Sequence, residues 1–362
     1  MIKRRVIHIA LTVFLLFVLI PGSIALAHSP VFPGENHSPE TAYQIDNPAK
    51  SWAIYDELDH MDEGEYYRFD LSAGDRIQLA LLTPESPAES GFLPSFALLM
   101  PVAPEVNKAP DHIDVPDGYG VILVEGKDPG EAAYEAFSPG WYYEVAALLV
   151  QEATSDGTYY VVVFADVHQD DHTHDDGDDH EHTEKAAKYG LVVGYLESFT
   201  PLELVLVPYS VQKVYHWEGQ NTFVALLPIL LVLVIGGTIM YYCVRKGRAH
   251  LGLSKWLAYF AGMAFFGSGV SFVYQMVLTF TVTGIHAEAL ISLIFVVLSF
   301  FLGLATLLYA VREKPALTPW RRTGLILTGL IALFVWSGLY LGPALIIAAA
   351  LVPTQPGRTL EG

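Results

Sequence analysis

A single cysteine, Cys243, is present in the 362 residues, so no disulfide can form within one chain and no zinc or iron–sulfur site can be assembled from thiolates alone. Enzyme signatures are also missing: there is no G-x-S-x-G elbow, no H-E-x-x-H, no P-loop and no G-x-G-x-x-G after a strand. Basic residues are scarce in one stretch. His28 to Asn221 carries 36 of the 39 Asp and Glu but only 8 of the 20 Lys and Arg, a formal charge of 8 − 36 = −28. Such a segment repels phosphate backbones and has no basic stripe with interleaved aromatics, which excludes nucleic acid as a partner. The same stretch is rich in Tyr, Phe, Val, Leu and Trp, so its acidity does not imply disorder.

Long apolar runs, by contrast, are plentiful. Lys3, Arg4 and Arg5 precede an apolar stretch from Val6 to Ile20, then Pro21, Gly22 and Ala25-Leu26-Ala27. That order is a secretory signal over residues 1–27, with cleavage expected after Ala27; an uncleaved anchor helix is the alternative. Phe223 to Val244 is long enough to cross a bilayer, which takes about 20 residues, and ends in Arg245, Lys246 and Arg248. Further apolar spans run from about Trp256 to Leu278, His286 to Val311 and Thr323 to Leu351, predicting four transmembrane helices over 222–352 and a short external tail over 353–362. Basic residues gather between spans one and two and between spans three and four, and are missing from Thr279 to Ile285. Positive loops stay inside, so residues 28–221 are expected outside a plasma membrane. Glycines at 262, 267, 269, 324, 329, 338 and 342 allow close helix packing, and Pro343 is expected to kink the last helix. Only His286 and Glu288 are ionisable within the spans, near an outer edge, which favours anchoring over transport.

The acidic segment reads as strands. Tyr67, Phe69 and Leu71 alternate, Ala73-Gly74-Asp75 turns the chain, and Arg76 to Leu82 alternates again, predicting a hairpin. Further strands are expected at Ser95 to Met100, Tyr119 to Glu125, Trp141 to Val150, Thr158 to Ala165 and Tyr189 to Leu196. Short strands punctuated by Gly, Pro and Asp predict an all-β antiparallel sandwich ectodomain followed by the α-helical four-span transmembrane bundle. The pieces Gly64 to Asp75, Asp156 to Val163 and Lys188 to Gly194 resemble successive strands of pre-peptidase C-terminal (PPC-like) β-sandwich domains. The resemblance implies a non-catalytic binding or spacer module, and it departs from the usual pattern in insertions at Thr83 to Gly118 and His168 to Lys188.

The second insertion holds the low-complexity segment, with five histidines and eight acids in the seventeen residues from His168 to Glu184. Imidazole suits zinc and copper, and carboxylates add oxygen ligands and a negative potential. The candidate ligands are His168, His172, His174, His180 and His182, with Asp170, Asp171, Asp175, Asp176, Asp178 and Asp179 as supporting charge. Two His-x-His pairs can gather four nitrogens around one tetrahedral ion. A solvated acidic loop, or adventitious binding, is the bland alternative. Loose spacing argues for a collector of divalent metal and against catalysis, which needs ligands held rigidly with one position open.

Weaker candidates lie elsewhere. Asp56 to Glu65 and Asp111 to Asp114 are acidic patches without the EF-hand pattern, and read as solvated turns. Cleavage after Ala27 would leave His28 at the amino terminus, where amine and ring together chelate copper if His37, His60 or His112 supplies a second imidazole. The sequence therefore predicts a multi-pass surface protein, in contact with the bilayer and with an unspecified membrane-protein partner. Its loop collects zinc or copper. The alternative is an interaction or sensing module for a protein or glycan.

Overall fold

The computed structural model describes residues 28–58, 63–101, 108–136, 138–165, 187–247, 252–312 and 318–353. The chain divides into two compact units, one mostly of strands and one mostly of helices.

The strand unit contains two sheets. The first takes the order β1 (Ser29–Val31), β3 (Trp52–Leu58), β11 (Ala187–Val193), β5 (Arg76–Thr83), β9 (Gly140–Glu152), β8 (Ala133–Glu135). The second takes the order β2 (Tyr43–Gln44), β4 (Glu65–Leu71), β10 (Gly157–Ala165), β6 (Pro94–Pro101), β7 (Tyr119–Val124). The expectation of purely antiparallel sheets needs correcting at one edge of each: β1 runs parallel to β3, and β2 runs parallel to β4. The amino-terminal segment supplies both of these edge strands, one to each sheet.

Alternation was a sound guide to facing. In β5 Ile77, Leu79 and Leu81 are buried with partly exposed residues between them, and in β4 Tyr67, Phe69 and Leu71 are buried. These side chains join Ile54, Phe96, Leu98, Val161, Val163, Tyr189 and Leu191 in the main core. The expected β4–β5 hairpin does not form, because the two strands belong to different sheets. Gly74, at φ +89°, turns the chain through a corner, and Asp156 Oδ1 holds that corner by accepting the Ala73 amide at 2.7 Å.

The second sheet is buried on both faces. Ile113, from the first insertion, packs with Tyr66, Ala97, Leu99, Val121, Val162 and Phe164 in a separate cluster on the far face. Consecutive residues Val161 to Phe164 are therefore all buried, a pattern that alternation cannot produce.

The helical unit begins with α2 (Pro201–Trp217), after the single turn α1 (Pro87–Ser90) within the strand unit. The juxtamembrane approach expected at Tyr209 to Asn221 is thus mostly helix. Asn221 caps α3 (Thr222–Arg245), its side-chain oxygen accepting the Phe223 amide at 2.9 Å. Next come α4 (Leu253–Thr283) and α5 (Ala289–Val311). α3, α4 and α5 are the three described helices long and apolar enough to cross a membrane. α4 and α5 approach closely at Gly303: a Cβ there would fall 2.9 Å from the Phe266 nitrogen and 3.1 Å from the Gly262 oxygen.

The expected fourth span is not one helix. It is α6 (Pro319–Phe334) and α7 (Leu341–Leu351), of 16 and 11 residues, or roughly 24 and 16 Å long, against about 30 Å of hydrocarbon. The two lie antiparallel: Arg322 at the start of α6 donates to the Ala350 and Val352 carbonyls at 2.7 and 3.0 Å, and Gly329 faces Ile346 and Ile347. The chain breaks before Pro343, at Trp336, Gly338 and Leu339, whose φ values are 55°, 74° and 50°. Irregular backbone at such a depth has to be satisfied inside the protein. Here Ser268 Oγ of α4 accepts the Gly338 amide at 2.8 Å; the Trp336 side chain in turn donates through Nε1 at 3.2 Å to the Leu204 carbonyl of α2, which Pro208, lacking an amide hydrogen, leaves open. Pro343 sits in the first turn of α7, where its missing amide costs little.

Candidate functional site

All eleven candidate ligands, His168, Asp170, Asp171, His172, His174, Asp175, Asp176, Asp178, Asp179, His180 and His182, lie outside the described residues, as do His60 and the proposed signal over residues 1–27. What the structure defines is the root of that segment. β10 ends at Ala165 in the middle of one sheet and β11 begins at Ala187 in the middle of the other, so residues 166–186 connect the centres of the two sheets at one end of the sandwich. The strand registers identify the other groups at this end. Val163 pairs with Glu65, Ala165 with Pro94, and Ala187 with Leu58.

Two of the weaker histidine candidates sit at this same end. His37 Nδ1 lies 2.8 Å from the carboxylate of Glu65, whose side chain is 3% exposed. His112 packs edge-on against Phe164, with ring centroids 5.8 Å apart. Its neighbours Ile113 and Asp114 are held by burial and by the bond from the Asp114 amide to Tyr66 Oη at 2.7 Å. The turn from Asp111 to Asp114 is therefore fastened to the outer face of the second sheet, and is not the freely solvated turn that its composition predicts.

His28 is at the opposite end. It precedes β1, whose Ser29 pairs with Trp52, and Trp52 in turn pairs with Val193, the last residue of β11. His28 Nδ1 lies 2.5 Å from Ser51 Oγ, and burial lowers its pKa from 6.5 to about 4. His37 and His112 are thus at the far end of the strands from His28, and neither supplies the second imidazole of a copper brace. Among the described residues no three His, Cys, Asp or Glu side chains are grouped to hold a metal ion.

Of the acidic stretch from Asp56 to Glu65, residues 59–62 lie outside the described residues, while Asp56 and Glu57 belong to β3 and Glu65 to β4. Asp56 Oδ2 accepts from Tyr67 Oη at 2.5 Å, and Tyr67 Oη lies 2.5 Å from Tyr189 Oη. Burial raises the Asp56 pKa, while its hydrogen bonds to Tyr67, Glu57 and Tyr189 oppose that shift. Both phenols are buried and their pKa values are raised, first by desolvation. The trio links β3, β4 and β11 across the two sheets. It is a structural staple, which composition alone could not distinguish from a calcium loop.

No family model matches the sequence, and no curated protein matches it. Among solved structures, one similar chain is CorA, described as a surface-associated copper-binding protein important in Methylomicrobium album BG8 copper acquisition. It is 14% identical, over 47% of this chain and 99% of that chain, at a TM-score of 0.21.

Proposed function

We infer that the protein is a membrane-anchored surface module, without catalysis of its own, that collects divalent metal, zinc or copper, through its His/Asp-rich segment. The observation that carries this reading is the concentration of five histidines and eight acids in residues 168–184, on a connection rooted between the central strands β10 and β11. Neutral imidazoles give the nitrogen ligands and the carboxylates draw cations in. A connection of this kind can fill and empty without disturbing the sandwich, whose core lies in the strands on either side. In this reading the PPC-like sandwich is the folded scaffold from which the collector is strung. The three apolar helices are its anchor, with the strands outside and the basic loops inside.

The test is calorimetric titration of the full-length protein in detergent with zinc, copper and calcium, beside a variant lacking residues 168–184. Zinc or copper binding is expected, weakening below about pH 6 as imidazoles with a reference pKa of about 6.5 protonate, and lost with the segment. No binding, or binding unchanged by the deletion, overturns the reading and leaves the module that recognises a protein or glycan.

A further inference from the structure

The two faces of α2 are unlike. Pro208, Val214 and Tyr215 are buried on one side. On the other, Leu202, Leu206 and Tyr209 recur at i, i+4 and i+7 and are 67%, 42% and 58% exposed. Glu203, Ser210 and Trp217, spaced seven apart, form a flank between the two with polar and amphipathic side chains. Single exposed leucines are ordinary, but an apolar stripe along one helix face marks a surface that something covers.

Two sets of contacts fix the level of α2 within the helical unit. In its carboxy-terminal half, Val211 and Tyr215 line one space with Ile229 of α3, seven residues on from Thr222 and so about 10 Å along that helix. In its amino-terminal half, the Leu204 carbonyl accepts from Trp336 Nε1, and the Trp336 ring stacks on Phe295 of α5 with centroids 4.8 Å apart. Phe295 is six residues on from Ala289, about 9 Å along α5. α3 and α5 start at the same end of the unit, because Gln275, near the end of α4, bonds Gln220 just ahead of α3 at 3.0 Å. Both halves of α2 thus lie at one level, and the helix runs across the starts of α3 and α5 rather than along them. About 5–10 Å below a membrane surface is where an amphipathic helix rides in the boundary between headgroups and acyl chains.

We propose that α2 lies in the plane of the bilayer boundary, with Leu202, Leu206 and Tyr209 packed against phospholipid acyl chains. Continuity with the spans identifies lipid as the occupant. Only residues 218–221 separate α2 from α3, whose own exposed side chains begin at Phe223 and Val224. Lys213 continues the stripe, its Nζ 5.9 Å from the centre of the Tyr209 ring, which suits a long stem in the acyl region with its charge at headgroup level. The inference rests on the three apolar helices crossing a bilayer and is independent of metal collection.

The test uses full-length protein carrying Cys243→Ser, reconstituted in phosphatidylcholine vesicles, with a nitroxide spin label on Leu202→Cys, Leu206→Cys or Tyr209→Cys. Val234→Cys, at an exposed site within α3, and Asp111→Cys, on the strand unit, are the lipid and water references. Collisions with oxygen, which partitions into lipid, are compared with collisions with a water-soluble nickel chelate. Oxygen should dominate at Val234 and at all three α2 positions, and nickel at Asp111. Nickel dominating on α2 while oxygen dominates at Val234 overturns the inference and leaves the anchor standing. Shielding of the α2 labels from both reagents also overturns it, in favour of a protein partner, or of a second copy where the labels broaden one another's spectra. Nickel dominating at Val234 overturns the span itself, and this inference with it.

Discussion

The strand unit and the helical unit bury opposite kinds of side chain. The largest fully buried residues of the sandwich include Tyr66, Tyr67, Tyr159, Tyr189, Phe69, Phe96 and Phe164. The helices instead meet on Ala258, Ala261, Ala264, Ala310, Ala332, Ala349 and Ala350, with glycines between them and, among the described residues, Phe265 as the one fully buried ring. Water rewards the removal of apolar area, so a domain folding in water gains most from burying rings. Lipid gives no such reward for hiding a large side chain. Helices there gain from close backbone approach, which only small residues allow.

Substitutions that exchange these two strategies break the comparison most sharply. Phe96→Ala, at the centre of the main core, should cost about 3–5 kcal/mol, seen as a fall in the unfolding temperature of the strand unit while helical content by circular dichroism persists. Gly303→Leu is the reverse case. A side chain there strikes the Phe266 and Gly262 backbones, so a cost of about 1–3 kcal/mol or more is expected in helix packing, measured by detergent-dependent thermal stability. Should Phe96→Ala leave the strand unit unmoved, or Gly303→Leu leave the helices unmoved, the contrast fails.

Smaller effects sharpen the contrast within the strand unit. Tyr67→Phe keeps the ring and removes the hydroxyl that bonds Asp56, so about 1–3 kcal/mol should be lost in denaturant titration, isolating the polar staple from ring burial. His28 gives a pH signature. Its folded pKa of about 4 lies below the unfolded value of 6.5, so the unfolded chain binds the proton first as pH falls. The stability it contributes is complete above about pH 6.5 and is lost progressively toward pH 4; His28→Gln should flatten that part of the profile. Deleting residues 168–184 should change the unfolding temperature least of all, because the segment has no apolar side chain to bury.

Which parts were legible in the sequence follows from which signals are local. Period-two alternation located β4 and β5, and short runs of β-branched and aromatic residues between Gly, Pro and Asp located β6, β7, β9, β10 and β11. It could not tell that β4 and β5 part at Gly74 into different sheets, because sheet membership depends on distant partners such as β10 and β11. β3 escaped notice because Asp56 and Glu57 make it resemble an acidic loop; only Tyr67 and Tyr189, far along the chain, explain a carboxylate there. The last apolar stretch looked like one span because hydropathy does not register backbone direction. Ser337-Gly338 was the available sign of the break, and the group that accepts its amide, Ser268, belongs to another helix.

The strand order also governs how the chain can be made. β11, the last strand in sequence, sits between β3 and β5, and β10 sits between β4 and β6. A nascent chain that has released everything up to β9 therefore has both sheets split down the middle, with hydrogen-bonding edges open on either side of each gap. Closure waits for residues just ahead of the first long apolar helix, so folding of the sandwich and arrival of that helix fall close together in time. A chain stalled before β10 and β11 are released leaves the facing edges of β3, β5, β4 and β6 unpaired, the state most prone to pair with a neighbouring copy.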